Sequence, residues 1–441
     1  MSKPRLLLVS MSGLRIVDPN LRAAGLRLPG VVRRVAALAQ LPPLGLLTIA
    51  GTIDDQWHIA LVVDDGAGSI ERTKARILSH RPDVVAFSTL TAAADRAAKL
   101  SGALRAFGIT TVVGGLHATS APSWCQERFD SVIIGDGETL FPRALLDWQN
   151  RCLAPSYRSN QPFDLGQSVR PRWDLWKQPS TPRYTVQTMR GCPWSCHFCA
   201  ASRLLGPARR KPSSQIVREF RQVAEIQSRP WIELADDNTF ALSNADEEAF
   251  AWLDELRSMG AKWFTESDWR ISQHPKLLDR IARSGCRQIL IGLESPIHTY
   301  GGMGGKTSPW NEMLAAVKTI QSVGIVVNAC FIIGCDQETP TTIARLRDFL
   351  ATAPFGEVQV TLQTPFPGTR MHEVMRRGGR LLSDDFSRYT LFDVVFEPAH
   401  MSPDQLRHEF LHLVSTVYSH DAQSRRARLN RHIRRRRRES L

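Results

Sequence analysis

Long apolar runs are missing from this chain. No stretch of its 441 residues approaches a membrane span, and Leu6-Leu7-Leu8-Val9 is too short for a signal peptide and reads as a strand. These absences argue against a helical membrane protein and predict a cytoplasmic one. Cysteine is scarce, with eight residues in all. Without a secretory signal, so few thiols predict a reducing compartment, where clustered cysteines serve metal or redox chemistry rather than disulfides. Cys125, Cys152, Cys286, Cys330 and Cys335 are scattered. The last two lie in or just after an apolar strand and read as small buried hydrophobes. No serine–histidine, paired-carboxylate or P-loop arrangement is present; Gly114-Gly115 lacks the Lys-Ser/Thr pair that a nucleotide P-loop requires. Acidic residues are outnumbered, leaving a net charge of +13. Much of that excess sits in Arg425, Arg426, Arg428, Arg431 and the run Arg434 to Arg438. Such a block reads as a solvated, disordered tail, not as a nucleic-acid site.

What is present is α/β alternation, twice over. Strands are predicted at Leu6–Val9, Ile59–Val63, Val84–Ser88, Thr110–Val113 and Ser131–Ile134, with helical stretches between them. Apolar runs of this length fit strands covered on both faces, so residues 1–150 read as a doubly wound parallel sheet. Asn20 to Gly30 reads as a loop. Residues 151–183, with Pro155, Pro162, Pro171, Pro179 and Pro182, read as a linker. From Tyr184 the alternation restarts, with strands at Tyr184–Thr188, Trp231–Ala235, Lys262–Glu266, Gln288–Glu294, Ile325–Ile333 and Val358–Leu362. Six strands with helical crossovers predict a partial (β/α)6 barrel over 184–395, with its site at the C-terminal strand ends. Residues 396–441 read as a helical segment and the basic tail.

The most specific motif follows the first strand of that barrel. In Gly191-Cys192-Pro193-Trp194-Ser195-Cys196-His197-Phe198-Cys199, three thiols stand in a C-x-x-x-C-x-x-C spacing. An iron–sulfur cubane takes one thiolate per iron, so three cysteines leave one iron open to a small molecule. A structural zinc site wants four ligands, and His197, between two ligating cysteines, would point away from their metal. Asp236-Asp237-Asn238, Glu294-Ser295, Gly334-Cys335-Asp336 and Pro365 to Thr369 fall at the other strand tips, where they converge on one mouth or serve as helix caps.

The cysteine loop, with an aromatic before its third thiol, resembles the radical S-adenosylmethionine (radical SAM) enzymes. That resemblance implies Cys192, Cys196 and Cys199 as ligands of a [4Fe-4S] cluster that binds S-adenosylmethionine. It further implies Asp236 or Asp237 at the amino group of that cofactor, Glu294 at its ribose and Phe198 against its adenine. Four N-terminal elements resemble the cobalamin-binding domain, of flavodoxin-like fold, that precedes many such cores. These are Leu41 to Leu47, Ser88-Thr89-Leu90, Gly114-Gly115-Leu116-His117 and Gly135-Asp136-Gly137-Glu138. The likeness implies Ser88, Leu90, Gly114, Gly115, Gly135 and Glu138 as cobalamin contacts, paired glycines permitting close backbone approach. The Asp-x-His-x-x-Gly element that supplies an axial histidine elsewhere has no match: Gly66 stands where His would be, in Asp64 to Ser69. This implies cobalamin held without a protein imidazole on cobalt, the alternative being a domain that has lost the ligand. His117 reads as a loop residue rather than a replacement. The stretch Phe396 to Tyr418 resembles the helical region that follows the barrel in the family.

The expected function is therefore a cobalamin-dependent radical SAM methyltransferase acting on an unactivated carbon of a small molecule or peptide. It would draw electrons from a flavodoxin- or ferredoxin-type reductant. The alternatives are a cyclase, oxidoreductase or rearrangement enzyme on the same scaffold, or an RNA-modifying relative. Methylthiotransferases acting on tRNA carry a second cysteine triad in the N-terminal domain; here that region has only Cys125 and Cys152.

Overall fold

The computed structural model describes residues 3–11, 16–28, 31, 41–178, 181, 183–240 and 250–440. Gly30, Pro179 and Pro182 of the predicted loop and linker lie outside them. The first sheet contains β1 (Arg5–Met11), β2 (His58–Asp64), β3 (Val84–Ser88), β4 (Thr110–Gly114), β5 (Ser131–Ile134) and β6 (Ser156–Arg158). All pairings are parallel, in the order β2-β1-β3-β4-β5-β6. Side chains alternate faces along each strand. Leu7 and Val9 therefore join Val85, Phe87, Leu100 and Leu104 in one apolar layer. Leu6 and Leu8 join Leu46, Ala50, Phe141 and Ala144 in the other. This is the doubly wound sheet expected from the apolar runs.

Two expectations change here. Asn20 to Gly30 is no simple loop, because Pro19–Arg27 is a helix. The Asp18 carboxylate accepts from the amides of Asn20 and Leu21 and Pro19 opens the first turn, a cap-then-proline start. The predicted linker contributes β6 to the sheet and buries Leu165 and Trp173.

The second sheet contains β7 (Tyr184–Val186), β10 (Trp231–Leu234), β11 (Lys262–Ser267), β12 (Cys286–Glu294), β13 (Val326–Ile333) and β14 (Glu357–Leu362). A short hairpin of β8 (Met189–Arg190) and β9 (Arg209–Arg210) stands beside it. Its order β14-β13-β12-β11-β10-β7 is parallel throughout and its two edges do not pair, so the barrel is open. Ile232, Leu234, Ile289, Ile291, Val327, Ala329, Val358 and Val360 pack into the layer under the helices. Residues of opposite parity, among them Glu233, Glu266, Asn328, Gln359 and Thr361, occupy the other face. The barrel interior is thus polar, as a ligand chamber requires.

The C-terminal segment ties the halves together. Asp393 accepts from the Val17 and Asp18 amides, and Arg407 pairs with Asp18 at 3.0 Å. The basic block is not a disordered tail: His420–Ser440 is helical. Its turns bury Ala422, Arg426, Asn430 and Ile433 on one face, and the Asn430 amide donates to the Gly356 carbonyl at 3.0 Å. That buried stripe gives the arginine-rich sequence something to pack on, which charge alone does not supply. Among the described residues no helix is long and apolar enough to cross a membrane.

Candidate functional site

The cysteine loop leaves the barrel at β7 and passes through the β8–β9 hairpin. Gly191 makes the turn at φ +78°, and a Cβ there would lie 2.7 Å from the Gly206 carbonyl. Cys192 and Cys199 are half-buried, Cys196 is buried, and all three thiols are free. The segment Gly301 to Lys306, after β12, holds the loop. Ser195 N–H donates to Gly302 O at 3.1 Å and His197 N–H to Gly301 O at 2.8 Å. Gly302 has φ +79°, and any side chain on it would collide with the Ser195 carbonyl. Trp194 is clamped as well. The Arg270 guanidinium lies 4.4 Å from its ring centroid, its Nε1 donates to Asp268 at 3.2 Å, and a Cβ on Gly304 would touch the ring at 2.8 Å. The sequence reading missed this clamp. Its signal was four glycines within five residues ahead of a lysine.

The carboxylates at the strand tips divide into two kinds. Asp236 is buried and occupied: it accepts from the amides of Thr188 (2.7 Å) and Met189 (3.1 Å) and from Thr239 Oγ1 (2.8 Å). It braces the turn beneath the cysteine loop, which leaves Asp237 as the acidic group free to face a ligand. Asp237 accepts the Gly191 amide at 3.1 Å, and burial pushes its carboxyl up to about 6. Burial, with Asp237 and Glu233 nearby, pushes Glu266 on β11 up to about 8. Glu294 takes the left-handed backbone at φ +62° and pairs with half-buried Lys306 at 2.5 Å. Three carboxyls and one ammonium around one mouth suit a zwitterionic amino acid group, which needs both signs of partner. Phe198 stands edge-on to Tyr300 at 4.8 Å, and Tyr300 meets His298 at 4.4 Å, forming an aromatic shelf beside the cysteines.

At the first sheet, Ser88, Leu90, Gly114, Gly115 and Gly135 come together at the ends of β3, β4 and β5. Thr89 N–H donates to Gly114 O at 3.2 Å. A Cβ on Gly115 (φ +96°) would lie 3.1 Å from Thr89 O, while one on Gly135 (φ +94°) would meet open space. Leu90, 48% exposed, offers an apolar tip on this edge. Glu138 does not join it. Its carboxylate turns to Arg190 at 2.7 Å, and Asp136 binds both Arg190 (2.6 Å) and Arg209 (2.8 Å). These pairs clasp the edge of the first sheet to the β8–β9 hairpin, whose Arg190 immediately precedes the cysteine loop. Gly66 has φ +68°, where an imidazole-bearing residue would be strained, and Asp64 is tied to Arg96 at 2.6 Å. His117 is fully buried between Trp124 and Phe386, and burial lowers its pKa to about 4. It lies in the short helix Leu116–Ser120, not in a loop.

Both cofactor sets fit these residues. Burial raises the Cys192 thiol and pushes Cys196 up to about 12, while Lys306 pulls both the other way. Loading iron therefore displaces protons, and the nearby ammonium favours the thiolates. The five residues on the first sheet form an open, glycine-edged cradle at strand ends, where sheets of this type take ligands.

Comparison with known proteins agrees. Residues 30–145 match the family model of the B12 binding domain, and residues 186–350 match that of the radical SAM superfamily. An uncharacterized methyltransferase of Pyrococcus horikoshii is 27% identical over 396 residues, 83% of this chain and 85% of its own length. Bacteriochlorophyllide d C-12(1)-methyltransferase of Chlorobaculum tepidum is 24% identical over 389 residues, 86% of this chain and 83% of its own. The solved cobalamin-dependent S-adenosylmethionine radical enzyme OxsB has the same fold, with a TM-score of 0.68 at 14% identity. That match covers 92% of this chain but only 65% of OxsB. The chain belongs to the cobalamin-dependent radical SAM family, with a B12-binding domain ahead of its radical SAM core. A [4Fe-4S] cluster, S-adenosylmethionine and cobalamin are the cofactors of that pairing.

Proposed function

We propose that this chain is a methyltransferase acting on an unactivated carbon. The observation that carries the reading is the clasp of Arg190 and Arg209 with Asp136 and Glu138. It supports a reading in which cobalamin held at the strand ends of the first sheet and a cluster held by Cys192, Cys196 and Cys199 would serve one substrate carbon. Methyltransferases among its relatives support the same choice. When bound, the cluster with S-adenosylmethionine supplies a 5′-deoxyadenosyl radical, and cobalamin supplies the methyl relay.

The chain's own residues then have distinct tasks. Cys192, Cys196 and Cys199 hold the cluster, Asp237 and Glu294 face S-adenosylmethionine, and Phe198 offers its ring. Ser88, Leu90, Gly114, Gly115 and Gly135 cradle cobalamin. The Gly301–Lys306 segment holds the cysteine loop in place. A flavodoxin- or ferredoxin-type protein is the electron source. Domain limits of 1–150, 151–183, 184–395 and 396–441 describe the division, with β6 attached to the first unit.

Anaerobic turnover is expected to yield S-adenosylhomocysteine, methionine, 5′-deoxyadenosine and methylated product together. A panel of tetrapyrrole, polycyclic lipid and peptide substrates suffices for this test. Formation of 5′-deoxyadenosine with a dehydrogenated or cyclised product, and no methylated one, would replace the methyltransferase reading by the cyclase alternative.

A further inference from the structure

Asn238 closes the acidic stretch after β10, and its side chain is buried. Its amide orientation is set by its neighbours. The Asp268 backbone N–H can only donate, and Asn238 Oδ1 accepts it at 3.1 Å. The nitrogen end must therefore face the other way. Nδ2 carries two N–H groups, and two acceptors await them: Asp268 Oδ2 at 3.2 Å and Cys192 Sγ at 3.8 Å. Asp268 is itself locked by Trp194 Nε1 and by Arg270, whose backbone N–H donates to it at 3.0 Å. A single network thus runs from the third strand's end to the sulfur of a cluster ligand. Exchanging the two ends of the Asn238 amide would lose all three partners.

From this we infer that Asn238 is a positioning residue that tunes the cluster, donating an N–H···S hydrogen bond to Cys192 and making the cluster easier to reduce. Hydrogen bonds to ligand sulfur stabilise the added negative charge of the reduced state, so each one raises the potential. The inference rests on the assignment of Cys192, Cys196 and Cys199 as cluster ligands.

The test is an EPR-monitored redox titration of anaerobically reconstituted full-length chain, wild type against Asn238→Leu and Asn238→Ala. Both variants are expected to show about a tenfold lower reduced-to-oxidised ratio at a fixed potential, equivalent to ~59 mV for a one-electron couple. Variants with wild-type iron content and an unmoved midpoint would overturn the inference. Where neither variant loads iron, wild-type protein labelled with 15N-asparagine decides. Pulsed electron–nuclear double resonance of the reduced cluster is expected to show 15N coupling, and its absence overturns the proposal. A wild-type chain that takes up no [4Fe-4S] cluster would instead overturn the parent reading, so the two failures are distinct.

Discussion

Replacing Arg190 by methionine should separate the two halves of the molecule energetically. The guanidinium bonds Asp136 at 2.6 Å, Glu138 at 2.7 and 3.3 Å, and the Gln187 side chain at 3.0 and 3.3 Å. Side-chain exposure is 14% for Arg190, 11% for Asp136 and 5% for Glu138, so solvent screens this cluster weakly. Asp136 keeps Arg209 at 2.8 Å and stays paired. Among the described residues Glu138 keeps no cation and becomes an uncompensated buried charge. Removing one partner of such a pair costs on the order of 3–5 kcal/mol, a large share of the roughly 5–15 kcal/mol that stabilises a domain. Arg190→Met should therefore lower the urea midpoint, and limited proteolysis between residues 151 and 183 should quicken. In the double variant Arg190→Met/Glu138→Met no buried charge is stranded, so most of the loss should return. A single variant within about 0.5 kcal/mol of wild type, the scatter of ordinary surface changes, would refute the argument. So would a double variant as unstable as the single one.

Three further outcomes follow from the geometry. Glu266, held protonated by burial up to about 8 when folded and near the ordinary glutamate value of 4.5 when unfolded, binds more protons in the native state between those values. Stability should accordingly fall as pH rises from about 4.5 to about 8, and Glu266→Gln should flatten that slope in pH-dependent urea unfolding. A slope unchanged by the substitution would assign the pH dependence to other groups. Gly302→Ala combines a left-handed backbone, costing roughly 1–2 kcal/mol, with a collision against the Ser195 carbonyl. Iron per chain should drop after reconstitution while the far-ultraviolet circular dichroism stays unchanged; full iron loading would show that the clamp is dispensable. Gly115→Ala places a Cβ 3.1 Å from Thr89 O at φ +96° and should weaken cobalamin retention about tenfold, roughly 1.4 kcal/mol, as read from corrinoid absorbance after gel filtration. Retention equal to wild type would remove this edge from the cobalamin site.

What was legible in the sequence was local. Val84–Ser88 and Ser131–Ile134 are strands with the predicted bounds because runs of apolar residues between turn signals depend on near neighbours alone. The spacing of Cys192, Cys196 and Cys199 carried its chemistry for the same reason, since all three sit on one loop. The glycines of the first sheet were legible because positive φ is a property of a single residue, and Gly115 and Gly135 both adopt it.

Which partner each polar side chain chose was decided only by the tertiary structure. Glu138 looked like a ligand contact until folding brought it to Arg190, 52 residues away in sequence. Asp236 and Asn238 differ by two positions, yet one braces a turn and the other reaches Cys192, 46 residues distant. The physical reason is that a buried polar group must find a hydrogen-bond partner, and the sequence states that need without naming the partner. By itself the chain determined two α/β units, a three-cysteine loop and glycines at the strand ends of the first sheet. Only their packing decided that Asp136 and Glu138 would pair with Arg190, beside the cysteine loop.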